Sequence, residues 1–245
     1  MSTHDKYTAP KTLTNPKAPV MSIEEELHIP SAEDRLHGVE NWYQSNSKMV
    51  NYALIGVLAV LVGIFGYKYY IGGQSEKAND AIFRAQTYYS IDSINWALNG
   101  DGNNLGFKKI ADKYSGTPAG NLANYYAGIC CLKTGDFANA EKYLKSFDGK
   151  GTLVTNVAKG ALGDALMEQG KTDDAIKQYL DAASDNDNLL ISPLYLERAG
   201  LAYELKNNTQ EAIATYKKLK EKFPQSQQAR NMDKNLARLG VYSIE

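Results

Sequence analysis

YLERAGLAYELKNNTQEAIATYKKLKEKFP, residues Tyr195–Pro224, is the clearest of three similar stretches in this 245-residue chain. The other two are ANYYAGICCLKTGDFANAEKYLKSF, Ala123–Phe147, and AKGALGDALMEQGKTDDAIKQYLDAA, Ala158–Ala183. When the three are aligned, a glycine and then an alanine coincide at spacings of 35 and 37 residues. These positions are Gly128, Gly163 and Gly200, then Ala140, Ala175 and Ala212. A repeat of this length predicts an all-α solenoid of stacked helix pairs.

The third copy resembles the tetratricopeptide repeat, a helix-turn-helix unit of about 34 residues. In such a unit a small residue lets the two helices cross closely, and large residues fill the space around it. The matching positions are Ala199, Gly200, Tyr203, Ala212, Tyr216 and Pro224. The sequence departs from the family at Cys131 and Leu166, where tyrosine is usual, and at Asn207, where glycine is usual. We predict three tetratricopeptide repeats in residues 119–225 and a capping helix in residues 226–245.

Residues 72–118, ahead of the first clear copy, are predicted to form a degenerate repeat. Ala78–Leu98 has the pattern of one long helix, and Leu105–Tyr114 has the pattern of its partner. A hydroxyl residue before a proline is typical of a helix start. This pattern occurs at Thr117-Pro118 and Ser192-Pro193, and Ser226 is predicted to open the last helix.

Met49–Tyr67 runs nineteen residues without a charge. A helix of that length reaches about 28 Å, close to the hydrocarbon core of a bilayer at about 30 Å. Residues 68–71 complete the crossing, since Lys68 can extend its ammonium to the headgroups. Aromatic residues at both ends are typical of membrane interfaces. The alternative, a buried helix of a soluble domain, would normally be shorter and keep a polar stripe. We therefore predict a single transmembrane helix at residues 49–71.

The leader before this segment divides into two parts. Residues 1–30 hold four of the seven prolines and show no apolar periodicity, which predicts a disordered tail. Residues 31–48 have apolar side chains at helical spacing, which predicts an amphipathic juxtamembrane helix. Met1–Val20 has no apolar core, so we expect no secretory signal at the start and an uncleaved anchor at the crossing.

Composition and motifs argue against several functions. The net charge is −1 with pI near 6.3, and there is no basic stripe for nucleic acid. All three histidines precede the crossing, and the repeats show no metal-ligand spacing, phosphate loop or activated nucleophile. Asp173-Asp174 fits a helix start better than a catalytic pair. Cys130 and Cys131 are neighbours that fit a helix core. We predict no catalytic residue, cofactor or metal, and hence no enzyme.

The tetratricopeptide resemblance implies binding through the concave face, which the first helix of each pair lines. Transferring the family positions gives an apolar face with acidic residues at Asp164, Glu168 and Glu197. The alternative is that some of these side chains only pack between repeats. The family's carboxylate clamp is not expected, because Tyr125 and Ile129 stand where basic or amide groups are needed and Arg198 alone suggests one. The predicted partner groove consists of Leu122, Tyr125, Ile129, Leu132, Met167, Leu194, Leu201 and Leu205.

Three glycines mark a predicted contact face within the crossing. Gly56 and Gly63 are seven residues apart and share a helix face, with Gly66 close by. Small residues on one face permit close helix contact in a membrane. The alternative is that the glycines are merely tolerated in an anchor.

A leader with RLHGVENWYQSNSK, a crossing with GVLAVLVGIFGYKYY and a C-terminal repeat domain together resemble the ancillary SecYEG translocon subunit family of bacterial inner membranes, from about Asp34 onward. The resemblance implies a cytoplasmic N-terminus and a periplasmic repeat domain. It also implies association with the translocon and with a membrane-anchored periplasmic chaperone. Loop charge does not decide the orientation, because Lys and Arg flank both ends of the crossing.

The expected function is a non-catalytic, single-pass adaptor that holds a chaperone or emerging chains beside the translocon. The alternatives are a scaffold for another cell-envelope assembly or, with inverted topology, a cytosol-facing docking platform. The sequence leaves the oligomeric state open.

Overall fold

The computed structural model describes residues 31–150, 153–185 and 188–242. The tail predicted to be disordered, residues 1–30, lies outside these ranges. The described residues form ten helices and no β-strand, which confirms the predicted all-α class. The helices are α1 (Ala32–Ser90), α2 (Ile94–Asn99), α3 (Phe107–Lys113), α4 (Pro118–Lys133), α5 (Phe137–Ser146), α6 (Leu153–Glu168), α7 (Thr172–Ala182), α8 (Ile191–Leu205), α9 (Thr209–Lys222) and α10 (Gln227–Arg238).

Helix α1 is continuous over 59 residues. The predicted juxtamembrane helix and the predicted crossing are therefore parts of one helix and not separate elements. Helix α1 contains an 18-residue stretch that is long and apolar enough to cross a membrane, and none of that stretch is buried. The chain divides into two compact units, residues 1–64 and 65–245, and the repeats belong to the second.

The predicted helix Ala78–Leu98 is wrong, because α1 ends at Ser90. Asp92 has a left-handed backbone with φ +56°, which stops the helix. The N–H groups of Asp92 and Ser93 then donate to carbonyls of the last turn of α1, at 3.1 and 2.9 Å. The chain resumes in the short helix α2, so the N-terminal part of the second unit contains three helical segments where two were predicted.

Two of the three predicted helix starts agree with the structure. The Thr117 hydroxyl accepts the N–H of Gly120 at 3.0 Å, and the Ser226 hydroxyl accepts that of Ala229 at 3.1 Å. The prediction for Ser192 is wrong, because α8 begins one residue earlier and encloses it. The Asn188 side chain takes the capping role by accepting the N–H groups of residues 190 and 191, at 3.1 and 2.8 Å.

Every repeat has the same close contact between its two helices. A glycine on the first helix faces a large side chain on the second helix, sixteen residues later. A β-carbon in place of any of these glycine hydrogens would come within 2.5 Å of the facing side chain. The three pairs are Gly128 with Leu144, Gly163 with Tyr179, and Gly200 with Tyr216. The glycines therefore set the distance between the helices of each pair.

Successive helix pairs are joined by a series of ion pairs. We call the lysines of these pairs the turn lysines. Each lysine lies at the turn between the two helices of a repeat, and it contacts a carboxylate of the preceding helix pair. The pairs are Lys133 with Asp92 at 3.2 Å, Lys171 with Glu141 at 2.8 Å, and Lys206 with Asp173. Asp92 lies between α1 and α2. These helices therefore contact the next helix pair through the same kind of ion pair that links the later repeats.

Glu141 is the most heavily bonded acid of this series. Its carboxylate accepts hydrogen bonds from Lys145 at 2.6 Å, Lys171 at 2.8 Å and Gln169 at 2.9 Å. The bonds from Lys145 and then Lys171 are the main reason that the pKa of Glu141 falls to about 2. Its side chain is only 15% exposed, so solvent screens these bonds less than it would at the surface.

Replacing Glu141 with glutamine should lower the free energy of unfolding by about 1–2 kcal/mol at neutral pH. The folded-state pKa lies below that of an unfolded glutamate, which is about 4.3. The contribution is therefore complete above that value and is lost as the pH falls toward about 2. Urea unfolding of both proteins across this pH range measures it, with exposed Glu221→Gln as control. A difference that persists near pH 2 would contradict the assignment to the carboxylate charge.

Candidate functional site

The first helices of the repeats form a continuous inner face. Helix α4 contacts α6, α6 contacts α8, and α8 contacts the C-terminal helix α10. Within the described ranges, none of the second helices α5, α7 and α9 contacts another second helix. The stack therefore has α4, α6 and α8 on its inner side and the second helices on its outer side.

The residues of the predicted partner groove lie on these three inner helices. Six of them are partly buried and pack against the core: Leu122, Tyr125, Ile129, Leu132, Met167 and Leu194. Leu201 and Leu205, toward the end of α8, are 41% and 72% exposed. Leu122 packs against the N-terminal core cluster, whereas Tyr125, Ile129, Met167 and Leu194 pack against the C-terminal one. Six of these side chains therefore contribute to packing of the core. Their contact with a ligand stays a prediction.

Aromatic side chains cluster along α4. The Tyr125 ring lies edge-on to that of Tyr126, with centroids 5.4 Å apart, and 5.5 Å from Phe147. Tyr126 stacks in turn on the fully buried Phe107 at 4.9 Å. The neighbouring aromatic rings therefore hold Tyr125 in place, and part of its own ring remains exposed to solvent. A rigid, partly exposed ring of this kind suits an apolar contact with a partner.

A polar cluster occupies the inner face between α6 and α8. Asp164 Oδ1 accepts the hydroxyl of Tyr179 at 2.8 Å and also the guanidinium of Arg198. The Arg198 guanidinium lies 5.6 Å from the centroid of the Tyr195 ring, and the rings of Tyr179 and Tyr195 stack at 6.2 Å. The side chains of Asp164 and Arg198 are 35% and 38% exposed. We call these four residues the acid–arginine cluster.

Burial keeps the two tyrosines of this cluster neutral. It raises the pKa of Tyr195 to about 12, and together with the Asp164 carboxylate it raises that of Tyr179 well above its ordinary value. Both phenols therefore stay neutral, and Tyr179 remains a hydrogen-bond donor to Asp164. Burial also raises the pKa of Glu197, an effect that the neighbouring Arg198 opposes. The cluster supplies fixed polar groups beside an apolar face, an arrangement suited to binding.

The contact between Asp164 and Arg198 was missed by sequence reasoning, although both residues were noted singly. The same arrangement recurs one repeat later, where Glu204 accepts the hydroxyl of Tyr216 at 2.5 Å and Arg238 Nη2 at 2.7 and 2.9 Å. In both cases the arginine follows the acid by 34 residues, about one repeat. That recurrence is the signal that would have revealed the pairing. It also shows Arg198 occupied by Asp164, so a carboxylate clamp built on Arg198 is not supported.

Groups able to do chemistry are few in the described ranges. Those ranges contain no cluster of three or more His, Cys, Asp or Glu side chains that could hold a metal ion. Cys130 and Cys131 are free, buried thiols, and burial raises their pKa values to about 12 and 11. Asp173 and Asp174 lie exposed in the first turn of α7, and Asp173 pairs with Lys206. These positions suit packing and helix stabilisation.

The glycine face of the predicted crossing is open. A β-carbon on Gly56, Gly63 or Gly66 would meet no heavy atom within 4 Å in the described part of the chain. A close helix contact at these glycines stays a prediction.

Comparison with known proteins agrees with this architecture. The family model described as a tetratricopeptide repeat-like domain matches residues 40–240. No curated protein matches the chain. A crystal structure of nearly identical TPR-like repeats, from a kinesin light chain-type protein of Podospora anserina, superposes with a TM-score of 0.52. It is 13% identical, covering 67% of this chain and 85% of the other, so it shows the fold alone. Because the family match extends over most of the sequence, the chain belongs to the tetratricopeptide repeat-like domain family.

Proposed function

We propose that the chain is a membrane-anchored adaptor that binds proteins through the inner face of its repeats. One observation carries the proposal, which is that partly exposed apolar side chains and the Asp164–Arg198 ion pair of the acid–arginine cluster lie on the same three inner helices. Stacked repeats of this kind present extended concave surfaces that suit a protein segment. The apolar character of the face favours a docked helix or extended segment.

The anchor in this proposal is the apolar part of α1, residues 49–71. Its length, the uncharged run from Met49 to Tyr67 and the lack of burial in its most apolar stretch support a single crossing of a membrane. The resemblance to the translocon subunit family adds a bacterial inner membrane, a cytoplasmic N-terminus and a periplasmic repeat domain. It also suggests translocon subunits, a periplasmic chaperone or emerging chains as partners. The competing proposal is a scaffold for another envelope assembly.

Replacing both Leu201 and Leu205 with aspartate should reduce partner recovery about tenfold, because each position would place a charge where an apolar contact is proposed. Both side chains are exposed, so the fold should tolerate the change. Affinity purification of the full chain in mild detergent, with quantification of co-purified proteins, measures the effect.

Leu190→Asp is the matched control, because Leu190 is 78% exposed and lies outside the predicted groove. Equal recovery with the groove variant and this control would argue against binding through the inner face. The identity of the recovered proteins separates the two proposals, since translocon components support the first and other envelope machinery supports the second.

Cysteine labelling tests the orientation of the anchor. Tyr242 is 75% exposed near the end of the chain, and a Tyr242→Cys variant should react with an impermeant maleimide in intact spheroplasts. Cys130 and Cys131 should not react with the maleimide, since they are buried and their raised pKa values leave little thiolate. Labelling only after the cells are lysed would indicate the inverted, cytosol-facing orientation.

A further inference from the structure

The turn between α3 and α4, residues 114–117, lies directly against the start of the α1 segment in the second unit. A β-carbon on Gly116 would come 2.7 Å from Ile71 Cδ1 and 3.1 Å from the hydroxyl of Tyr67. A larger residue at this position would require the Ile71 side chain to shift. This turn belongs to the repeat domain, and it touches α1 where the uncharged run ends.

The position of Ile71 along α1 gives the depth of that turn. The uncharged run ends at Tyr67, and Ile71 follows four residues later, a rise of about 6 Å along the helix. Each polar headgroup layer of a bilayer is about 5–8 Å thick. If residues 49–71 span the membrane, as proposed above, Ile71 and the Gly116 turn that touches it lie at the depth of the headgroups.

Two clefts flank this turn, and polar side chains line much of both. One cleft, of about 340 Å³, lies between the turn and α1 and includes Tyr70, Gln74 and Lys113. The other, of about 430 Å³, lies between the turn and the segment after α5 and includes Asn121, Asp148 and Lys150. Ser115, Gly116 and Thr117 line both clefts.

The charges of these clefts are suited to a lipid phosphate. Lys113 lies over the ring of Tyr114, with Nζ 5.3 Å from its centroid, and the lysine side chain is exposed. Lys150 is exposed in the second cleft, where the one acid among the lining residues is Asp148. A carboxylate oxygen of Asp148 already accepts the backbone N–H of Lys150, at 3.0 Å. One exposed lysine in each cleft, with the exposed Ser115 between them, thus lies where anionic headgroups would lie.

We propose that the 114–117 turn and its two clefts form a docking surface for the headgroup layer of the membrane that α1 crosses, with Lys113 and Lys150 contacting anionic lipid phosphates. The proposal rests on the proposed membrane crossing. A lipid surface fits better than a protein here, because the surface is continuous with the exit of the crossing and aromatic residues surround that exit. The consequence is that the 114–117 turn, and not only α1, contacts the bilayer surface.

Spin labels on the full chain in nanodiscs test the surface by depth. Labels are placed singly at Ser115→Cys in the turn, Leu58→Cys in the crossing and Gln210→Cys on exposed α9, and the buried native thiols remain unlabelled. Collision with oxygen, which partitions into lipid, is compared with collision with a water-soluble nickel complex. The comparison is made in nanodiscs of phosphatidylcholine alone and with added phosphatidylglycerol.

We expect the Ser115 label to be shielded from nickel to a degree between the other two, and to be shielded further when the lipid is anionic. Lys113→Glu combined with Lys150→Glu should abolish that further shielding and leave the Leu58 label unchanged. A Ser115 label as exposed as the Gln210 label in both lipids, with Leu58 shielded, would overturn the docking surface alone. A Leu58 label open to nickel would overturn the proposed crossing, and the docking surface with it.

Discussion

Replacing Gly200 with alanine is expected to destabilise the repeat domain by about 2–3 kcal/mol, although it adds a single carbon. That carbon would lie 2.2 Å from Cε1 of Tyr216. The Tyr216 ring is fully buried, and its hydroxyl is held at 2.5 Å by Glu204, which Arg238 also binds. The ring therefore cannot move aside without losing the hydrogen bond of its hydroxyl to Glu204, and α8 and α9 must separate instead.

Urea unfolding of the full chain in detergent, followed by circular dichroism, measures this change. Gly73→Ala is the matched control, since Gly73 lies in a helix where a β-carbon would meet nothing within 4 Å. That control should be as stable as the parent or slightly more stable, because alanine favours a helix by about 1 kcal/mol over glycine. Equal stability of the two variants would show that α8 and α9 do not need their close crossing.

Replacing Met232 with aspartate is expected to cost about 4 kcal/mol, and to release the C-terminal helix from the stack. Met232 is fully buried on α10, on the face that also carries Ala229 and Leu236. A carboxylate there would be buried against the apolar core, beside the neutral amide of Asn235, whose nitrogen lies 4.0 Å from the Met232 sulfur. Detachment of α10 would expose Leu219 and Phe223, which are buried in the parent protein, and aggregation should follow.

Limited proteolysis after Ser226, together with urea unfolding, detects the released helix. Asn231→Asp is the matched control because it adds the same charge to the adjacent, exposed position. The control should leave proteolysis unchanged. A Met232→Asp variant as resistant to protease as Asn231→Asp would show that α10 contributes little to the stack.

The repeats could be predicted from sequence because their geometry requires a small or a large side chain at a few fixed positions in each copy. Gly163 and Gly200 must be small, and Tyr179 and Tyr216 must be large, so the period is visible in the residues themselves. The end of α1 was not predictable in the same way. Asp92 adopts a left-handed backbone that its residue type permits but does not require.

Part of the candidate site could likewise be predicted from the sequence, and part could not. The inner helices and the apolar residues on them follow from the repeat register, so Tyr125, Ile129 and Leu201 could be placed on one face. Which side chains join across repeats depends on rotamers and on helix rotation. The pairing of Asp164 with Arg198 became evident only in the structure. The similar contact of Glu204 with Arg238 lies 40 residues further along, whereas the repeats there are spaced by 37, so the repeat register alone does not place it.

The turn lysines also bear on how the chain is made. In each pair the acid comes first in the sequence and the lysine belongs to the following helix pair, as Asp92 precedes Lys133 and Asp173 precedes Lys206. A repeat that emerges from the ribosome, or from a membrane channel, thus meets an acid on a neighbour already present. These ion pairs can therefore form in the order of synthesis, each new lysine pairing with an acid of the helix pair before it.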